Sequence, residues 1–248
     1  MARQRHLRNA PITEALIDLR VQPSRRVDER TAEMLAKRLQ NTYALKGPIR
    51  LNAWEVQFGE EPEARVATQL LGFRFHSADE KFVAQFQNEG FTLSRLAPYT
   101  EWEHIKSEAE RLWPLYADVL RPERIRRIAC RYINNLSLTM RQGQDFHDFL
   151  TAPPQVPPAL PQMLNAFVQR VVIACPELNA ITILTQLLEP NVATTLEKVP
   201  LILDIDVQCQ KQFEPHSSEI WQNLNQLRGL KNAAFFESIT ETAAQLYE

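Results

Sequence analysis

The feature that most constrains this fold is a series of alternating apolar and polar runs separated by very short gaps. These runs cover Arg50–Phe58, Val66–Phe75 and Lys81–Phe86, the last extended by Gly90–Leu96. A period of two residues is typical of half-buried strands. Parallel neighbours need crossovers of about a dozen residues, which these gaps do not provide. The sequence therefore predicts an antiparallel meander.

A strand and a helix precede this meander, and a second helix follows it. Apolar and polar residues alternate over Glu14–Val21, and a helical pattern over Asp28–Tyr43 has Asp28 in the position of an N-cap. Thr100 and Glu103 have the spacing of a capping box at the start of the second helix. This helix places Trp102 on its apolar stripe.

The second half of the chain repeats this plan. A strand over Ile125–Leu138 leads to a proline-rich insert at 140–165, then to three runs at Ala166–Ala174, Ala180–Leu188 and Leu201–Gln208, and finally to a helix that begins near Trp221. The sequence thus predicts an α+β fold with a mainly antiparallel sheet and helices on one face. We expect one domain over 1–248, built from two pseudo-repeats at about 9–120 and 124–248. Both tryptophans are predicted to lie buried between helix and sheet.

Composition excludes several classes of protein. There are 28 basic and 30 acidic residues, so the chain is neither a polybasic nucleic-acid coat nor an acidic tail. The six glycines form neither a dinucleotide-binding fingerprint nor a phosphate loop. The start lacks a secretory signal, and no run is long enough to span a membrane. The three cysteines, Cys130, Cys175 and Cys209, lie in or beside apolar runs and are typical of reduced thiols. We expect a cytoplasmic protein with no cofactor and no membrane partner.

One face of the predicted sheet collects charged side chains. Glu14, Asp18, Arg20 and Arg131 are candidates for contact with a ligand or a protein partner, together with Asn134. Such a face can also simply be solvated. Because the first strands of the two repeats are expected to be neighbours, Glu14 and Arg131 are predicted to form an ion pair.

Two further groups suggest other functions. Asp204 and Asp206 lie on the same side of one strand and have the oxygen ligands that Mg²⁺ or Mn²⁺ prefers, although simple alternation also explains them. The Arg121–Arg131 region is a candidate phosphate-contacting patch. The net charge of −2 does not support an extended nucleic-acid footprint.

Three motifs together carry a family resemblance. They are Asn9-Ala10-Pro11-Ile12-Thr13-Glu14-Ala15, Arg131-Tyr132-Ile133-Asn134, and a C-terminal Trp221…Leu224…Leu227-Arg228…Lys231-Asn232…Phe236-Glu237-Ser238-Ile239-Thr240. With them the chain resembles a sporadically distributed family of uncharacterised bacterial proteins of about this length. The resemblance implies a bacterial, cytoplasmic, single-unit protein and implies no activity. Patchy distribution is typical of accessory or defence-type gene clusters.

The sequence favours a non-catalytic binding or partner protein that uses the open polar sheet face. The expected partner is another protein of the same gene cluster, and a homodimer is also open. The alternatives are a metal-dependent enzyme that uses Asp204 and Asp206, and a nucleic-acid-binding module that uses the Arg121–Arg131 region.

Overall fold

Nine strands in the described part of the chain form one sheet, in which all neighbouring strands are antiparallel. The computed structural model describes residues 1–57, 63–141, 143–189 and 198–248, and only the backbone of 53–57 and 63–67. The strands are β1 (Ile12–Gln22), β2 (Tyr43–Gln57), β3 (Glu63–Ser77), β4 (Phe82–Gln87), β5 (Gly90–Leu96), β6 (Arg124–Leu138), β7 (Phe167–Cys175), β8 (Ala180–Leu188) and β9 (Val199–Cys209). The same residues form the helices α1 (Glu29–Leu39), α2 (Trp102–Leu120), α3 (Glu219–Ser238) and α4 (Glu241–Gln245). The predicted α+β fold is confirmed.

The two halves of the chain meet at the centre of the sheet. The strand order is β2-β3-β4-β5-β1-β6-β9-β8-β7, so β1 and β6 are central neighbours. Outward from each of them lies the last strand of the same half, β5 or β9. This matching order is what a duplication would produce, and superposition of the two pseudo-repeats stays a prediction.

The first half departs from the predicted pattern of strands. The run over Lys81–Leu96 is two strands, β4 and β5, which pair with each other across a turn at Asn88 and Glu89. Strand β2 begins at Tyr43, the predicted end of the preceding helix, and passes through Gly47 and Pro48. A proline fits there because β2 is an edge strand. Phe58, the predicted end of that strand, lies outside the described residues.

Helices cover one face of the sheet, and the core lies between the two layers. Helix α2 packs on β1 and β5, and helix α3 packs on β6, β8 and β9. The inward positions of the central strands, such as Ile17, Leu19 and Cys130, are fully buried. None of the helices in the described chain has the length and hydropathy needed to cross a bilayer.

The two tryptophans that begin the long helices differ in burial. Trp102 is 2% exposed, as predicted, and its Nε1 donates to Asn225 Oδ1 at 2.7 Å, which ties α2 to α3. Trp221 is partly buried and packs against the core, so its burial is less complete than that of Trp102. The inward stripe of α3 contains Ile220, Leu224, Leu227 and Lys231. Trp221 lies about 100° away from this stripe, because a helix turns by that angle per residue.

The N-terminal segment and the proline-rich insert both attach to the end of α3. The amide of Ala2 donates to the carbonyls of Phe236 at 3.0 Å and Ile239 at 2.8 Å. In the insert, Leu150 is 1% exposed and forms an isolated bridge with Ile239. These contacts hold the N-terminal residues beside α3, where they form one wall of a pocket.

Candidate functional site

The charges on the open face of the sheet pair with one another. Asp18 is 8% exposed and accepts hydrogen bonds from Thr92 Oγ1 at 2.7 Å, Arg20 Nε at 3.0 Å and Arg127 Nη2 at 2.5 Å. One carboxylate thus bridges two guanidinium groups. Because its oxygens already accept these hydrogen bonds, Asp18 has little capacity left for a ligand.

Arg131 forms its ion pair with Asp204 rather than with Glu14. Its Nε and Nη2 donate to the two carboxylate oxygens of Asp204 at 2.8 and 2.6 Å. Strands β1 and β6 are neighbours as expected, but their register places Glu14 opposite Ile133 and Leu16 opposite Arg131. The predicted ion pair between Glu14 and Arg131 was therefore wrong.

The geometry around Asp204 and Asp206 does not favour a metal ion. Both oxygens of Asp204 accept hydrogen bonds from Arg131, and Asp206 accepts one from Gln208 Nε2 at 2.5 Å. Burial raises the pKa of the Asp206 carboxyl, which opposes the loss of its proton. No group of three or more His, Cys, Asp or Glu side chains within the described ranges could hold a metal.

Acidic residues compensate much of the Arg121–Arg131 region. Arg127 pairs with Asp18, Arg131 pairs with Asp204, and Arg124 lies 3.6 Å from a carboxylate oxygen of Glu214. Arginines that are paired within the fold have less uncompensated charge to offer a phosphate. The geometry thus favours a structural role for this region.

Asn134 differs from the other candidates because it faces the helices. It is 2% exposed, and its Nδ2 donates to the carbonyls of Leu203 at 2.9 Å and Tyr132 at 3.3 Å. None of the described residues donates a hydrogen bond to its Oδ1. Asn134 lines a pocket of about 740 Å³ that is enclosed by the N-terminal segment, the start of β1, the turn before α2, and α3.

All three sequence motifs meet at this pocket. The first contributes Ala10, Pro11 and Ile12, the second contributes Asn134, and the C-terminal motif contributes Arg228, Lys231, Asn232 and Phe236. The motif residues come from opposite ends of the chain and from its middle. Their convergence makes this pocket the candidate functional site.

Lys231 has the most unusual environment of the pocket residues. It is 8% exposed, and its Nζ lies 3.7 Å from the centroid of the Tyr132 ring, a cation–π contact. No carboxylate of the described chain lies within ion-pairing distance of this nitrogen. Burial, helped by the nearby charge of Arg228, lowers the pKa of the Lys231 amine to about 8. The amine has no counterion among the described residues.

Two tyrosines form the aromatic surface against which Lys231 packs. Tyr132 is 1% exposed, and its hydroxyl oxygen lies 3.0 Å from that of Tyr99. The two rings meet edge to face, with centroids 5.5 Å apart. Burial raises the pKa of both phenols, so both stay protonated at neutral pH. This neutral pair fixes the aromatic face on which the lysine rests.

The pocket combines uncompensated positive charge with apolar walls. Arg5 pairs with Glu241 and Glu248, but Arg8, Arg228 and Lys231 form no ion pair with a described residue. The pocket contains one acidic side chain, Glu101. Its apolar walls include Leu7, Pro11, Ile12, Pro98, Trp102, Phe235 and Phe236. Such a site is suited to a small anion that carries an apolar group.

The alternation of charged residues indicates the open face, whereas the pocket lies between the sheet and α3 and has no local sequence period of its own. The C-terminal motif does contain an indication of the pocket. Arg228 and Lys231 lie three or four residues from Leu224 or Leu227, so they are near the apolar stripe of the helix. A lysine on an otherwise apolar stripe is a candidate for a buried functional group. No protein-family model matches the chain, and no curated protein matches it in sequence. The family resemblance therefore stays a prediction.

Proposed function

We propose that this chain is a non-catalytic binding protein that holds a small anionic ligand with an apolar part in the motif-lined pocket. One observation carries the proposal: three distant motifs converge on a pocket in which the Lys231 side chain is nearly buried, packs on the Tyr132 ring and has no carboxylate partner among the described residues. Placing a lysine in a largely buried position without a counterion is costly, and a bound anion would offset this cost.

The pocket is better suited to bind an anion than the open face of the sheet. On the open face the guanidinium groups of Arg20, Arg127 and Arg131 already have carboxylate partners. In the pocket, Arg228 and Lys231 have none among the described residues. An anion can therefore contact Arg228 and Lys231 without breaking an ion pair within the described chain.

We infer a reducing compartment, the cytoplasm, for this protein. None of the three cysteines forms a disulfide, and Cys130 and Cys209 are buried. The protein partner from the same gene cluster stays a prediction, and a pull-down that returns one stable partner would test it.

The experiment compares charged and neutral probes of the same shape. Benzoate and phenyl phosphate carry an anionic group on an aromatic ring, and benzamide is the uncharged control. We expect the anions to raise the melting temperature increasingly with concentration, because a ligand that binds only the native state stabilises it. Benzamide is expected to have little effect.

Matched substitutions locate the binding site. Lys231→Met and Arg228→Met are expected to reduce the affinity for benzoate by about tenfold or more each, since a charge-assisted contact contributes roughly 1.5–3 kcal/mol. Arg126→Met removes one exposed arginine outside the pocket and should leave binding unchanged. The proposal would be contradicted if benzamide binds as tightly as the anions, or if neither anion binds. It would also be contradicted if Arg126→Met reduces the affinity as much as Lys231→Met does.

A further inference from the structure

The edge strand β7 exposes apolar side chains on both of its faces. Val168 is 70% exposed and Val172 is 55% exposed on the open face of the sheet, and on the helix face Val171 is 43% and Ile173 45% exposed. Among the described residues β7 pairs with β8 alone. Its other edge therefore presents a row of free backbone donors and acceptors beside exposed valine and isoleucine.

The opposite edge of the sheet, β2, has features that hinder pairing with another strand, and β7 lacks these features. Strand β2 carries Lys46 and Pro48, and its pairing with β3 shifts register twice, between Leu45 and Gly47 and between Ile49 and Arg50. Lysine, proline and irregular pairing are the devices by which natural sheets prevent edge-to-edge association. Strand β7 pairs without a register shift, contains no proline, and has Arg170 as its one charged residue.

We propose that two copies of this chain associate through β7 to form one continuous antiparallel sheet. A two-fold axis at Val171 overlaps all nine residues of each strand and keeps the helices of both copies on the same side. It places Phe167 opposite Cys175 and Gln169 opposite Ile173.

This register suits a second copy of the same strand. It places Arg170 opposite Val172 of the second copy, so the two arginines lie diagonally across the axis rather than directly opposite each other. Like charges that face each other across a strand pair are destabilising. The pairing would cover exposed valines on both faces, and the interface involves none of the pocket residues. The proposal is therefore independent of the proposed ligand site.

The mass of the protein in solution tests this proposal. By size-exclusion chromatography with light scattering we expect twice the mass of the 248-residue chain. Val171→Lys would place two lysines opposite each other and should weaken the dimer by about tenfold or more. Leu51→Lys makes the same kind of change at an exposed position of the opposite edge and should leave the dimer intact. Circular dichroism checks that both variants fold.

Engineered cysteines test the register. Val171→Cys places two thiols directly across the two-fold axis, within disulfide distance, and we expect oxidation to cross-link this dimer. Val172→Cys is the matched control, because residue 172 faces Arg170 of the second copy and should cross-link far less. The proposal would be overturned if the native protein is a monomer. It would also be overturned if the dimer survives Val171→Lys, if it is lost in Leu51→Lys, or if Val172→Cys cross-links more strongly than Val171→Cys.

Discussion

At the scale of single residues, the ammonium group of Lys231 lies where its charge is disfavoured. It is nearly buried, rests on the Tyr132 ring, and has Arg228 one turn away on α3. The same desolvation that lowers its pKa would strengthen its interaction with a bound anion. Stability and binding should therefore depend on pH in opposite ways.

The stability prediction concerns Lys231→Met. The pKa of the lysine is about 8 in the folded protein, against an ordinary value of 10.5. Between these values the unfolded chain binds more protons, so this group makes stability rise with pH. Methionine removes the effect. We expect the stability of the variant relative to the native protein to be greatest below pH 8 and to fall by roughly 3 kcal/mol by pH 10.5, as measured by urea denaturation. A difference that does not vary with pH would contradict this.

The binding prediction has the opposite sign. Loss of the proton from Lys231 removes the charge that attracts the anion, so the affinity for benzoate should decrease as pH rises through about 8. A bound anion favours the charged amine and shifts this decrease to somewhat higher pH. Calorimetric titration from neutral to alkaline pH measures the effect. In Lys231→Met the residual affinity should no longer change across this range.

A double-mutant cycle tests the ion pairs of the open face. Arg131→Met combined with Asp204→Asn is expected to give a coupling energy of about 0.5–1 kcal/mol, since the arginine is partly exposed. The control cycle, Arg131→Met with Glu14→Gln, should give a coupling near zero. Equal coupling in the two cycles would show that Arg131 is shared between the carboxylates.

At the scale of elements, the contact between α2 and α3 depends on Trp102. Its ring is buried, and its indole N–H donates to Asn225 on α3. We expect Trp102→Ala to reduce the free energy of unfolding by about 3–5 kcal/mol. Trp221→Ala should cost only about 1–2 kcal/mol, because that side chain lies beside the buried stripe. Urea denaturation followed by circular dichroism compares the two, and equal losses would contradict this difference.

The first residues of α1 and α2 show how precisely a local sequence pattern predicts the start of a helix. Asp28 caps α1 as predicted, accepting a hydrogen bond from the Thr31 amide at 2.8 Å. The capping box predicted at Thr100 and Glu103 does not form, because Glu101 is the N-cap of α2 and makes no side-chain cap bond. Thr100 Oγ1 instead lies 3.3 Å from His104 Nδ1. Pattern alone does not fix a helix start to a single residue.

At the scale of the whole molecule, the central pairing of β1 with β6 joins the two halves. Each half would expose a long strand edge if it were separated from the other. We therefore expect one cooperative unfolding transition, with tryptophan fluorescence and far-ultraviolet circular dichroism changing together. Fragments 1–120 and 124–248 expressed alone should not fold. A soluble fragment that unfolds cooperatively would contradict the prediction of a single domain.

The sequence by itself determined the type of most elements and the antiparallel class of the sheet. Alternation over Glu14–Val21, Ala180–Leu188 and Leu201–Gln208 predicted strands that the structure contains at nearly the same bounds. Such patterns depend on neighbours a few residues apart, and short gaps leave antiparallel hairpins as the simple connection.

Only the tertiary structure decided where the chemistry lies. Arg131 meets Asp204 rather than Glu14 because long-range strand register sets which side chains are adjacent. The pocket brings together Pro11, Asn134 and Lys231. Pro11 lies more than a hundred residues before Asn134, and Lys231 lies on a helix whereas Asn134 lies on a strand. No local sequence pattern predicts that these residues are close together, because their proximity follows from the strand order of the sheet and the packing of α3 on it.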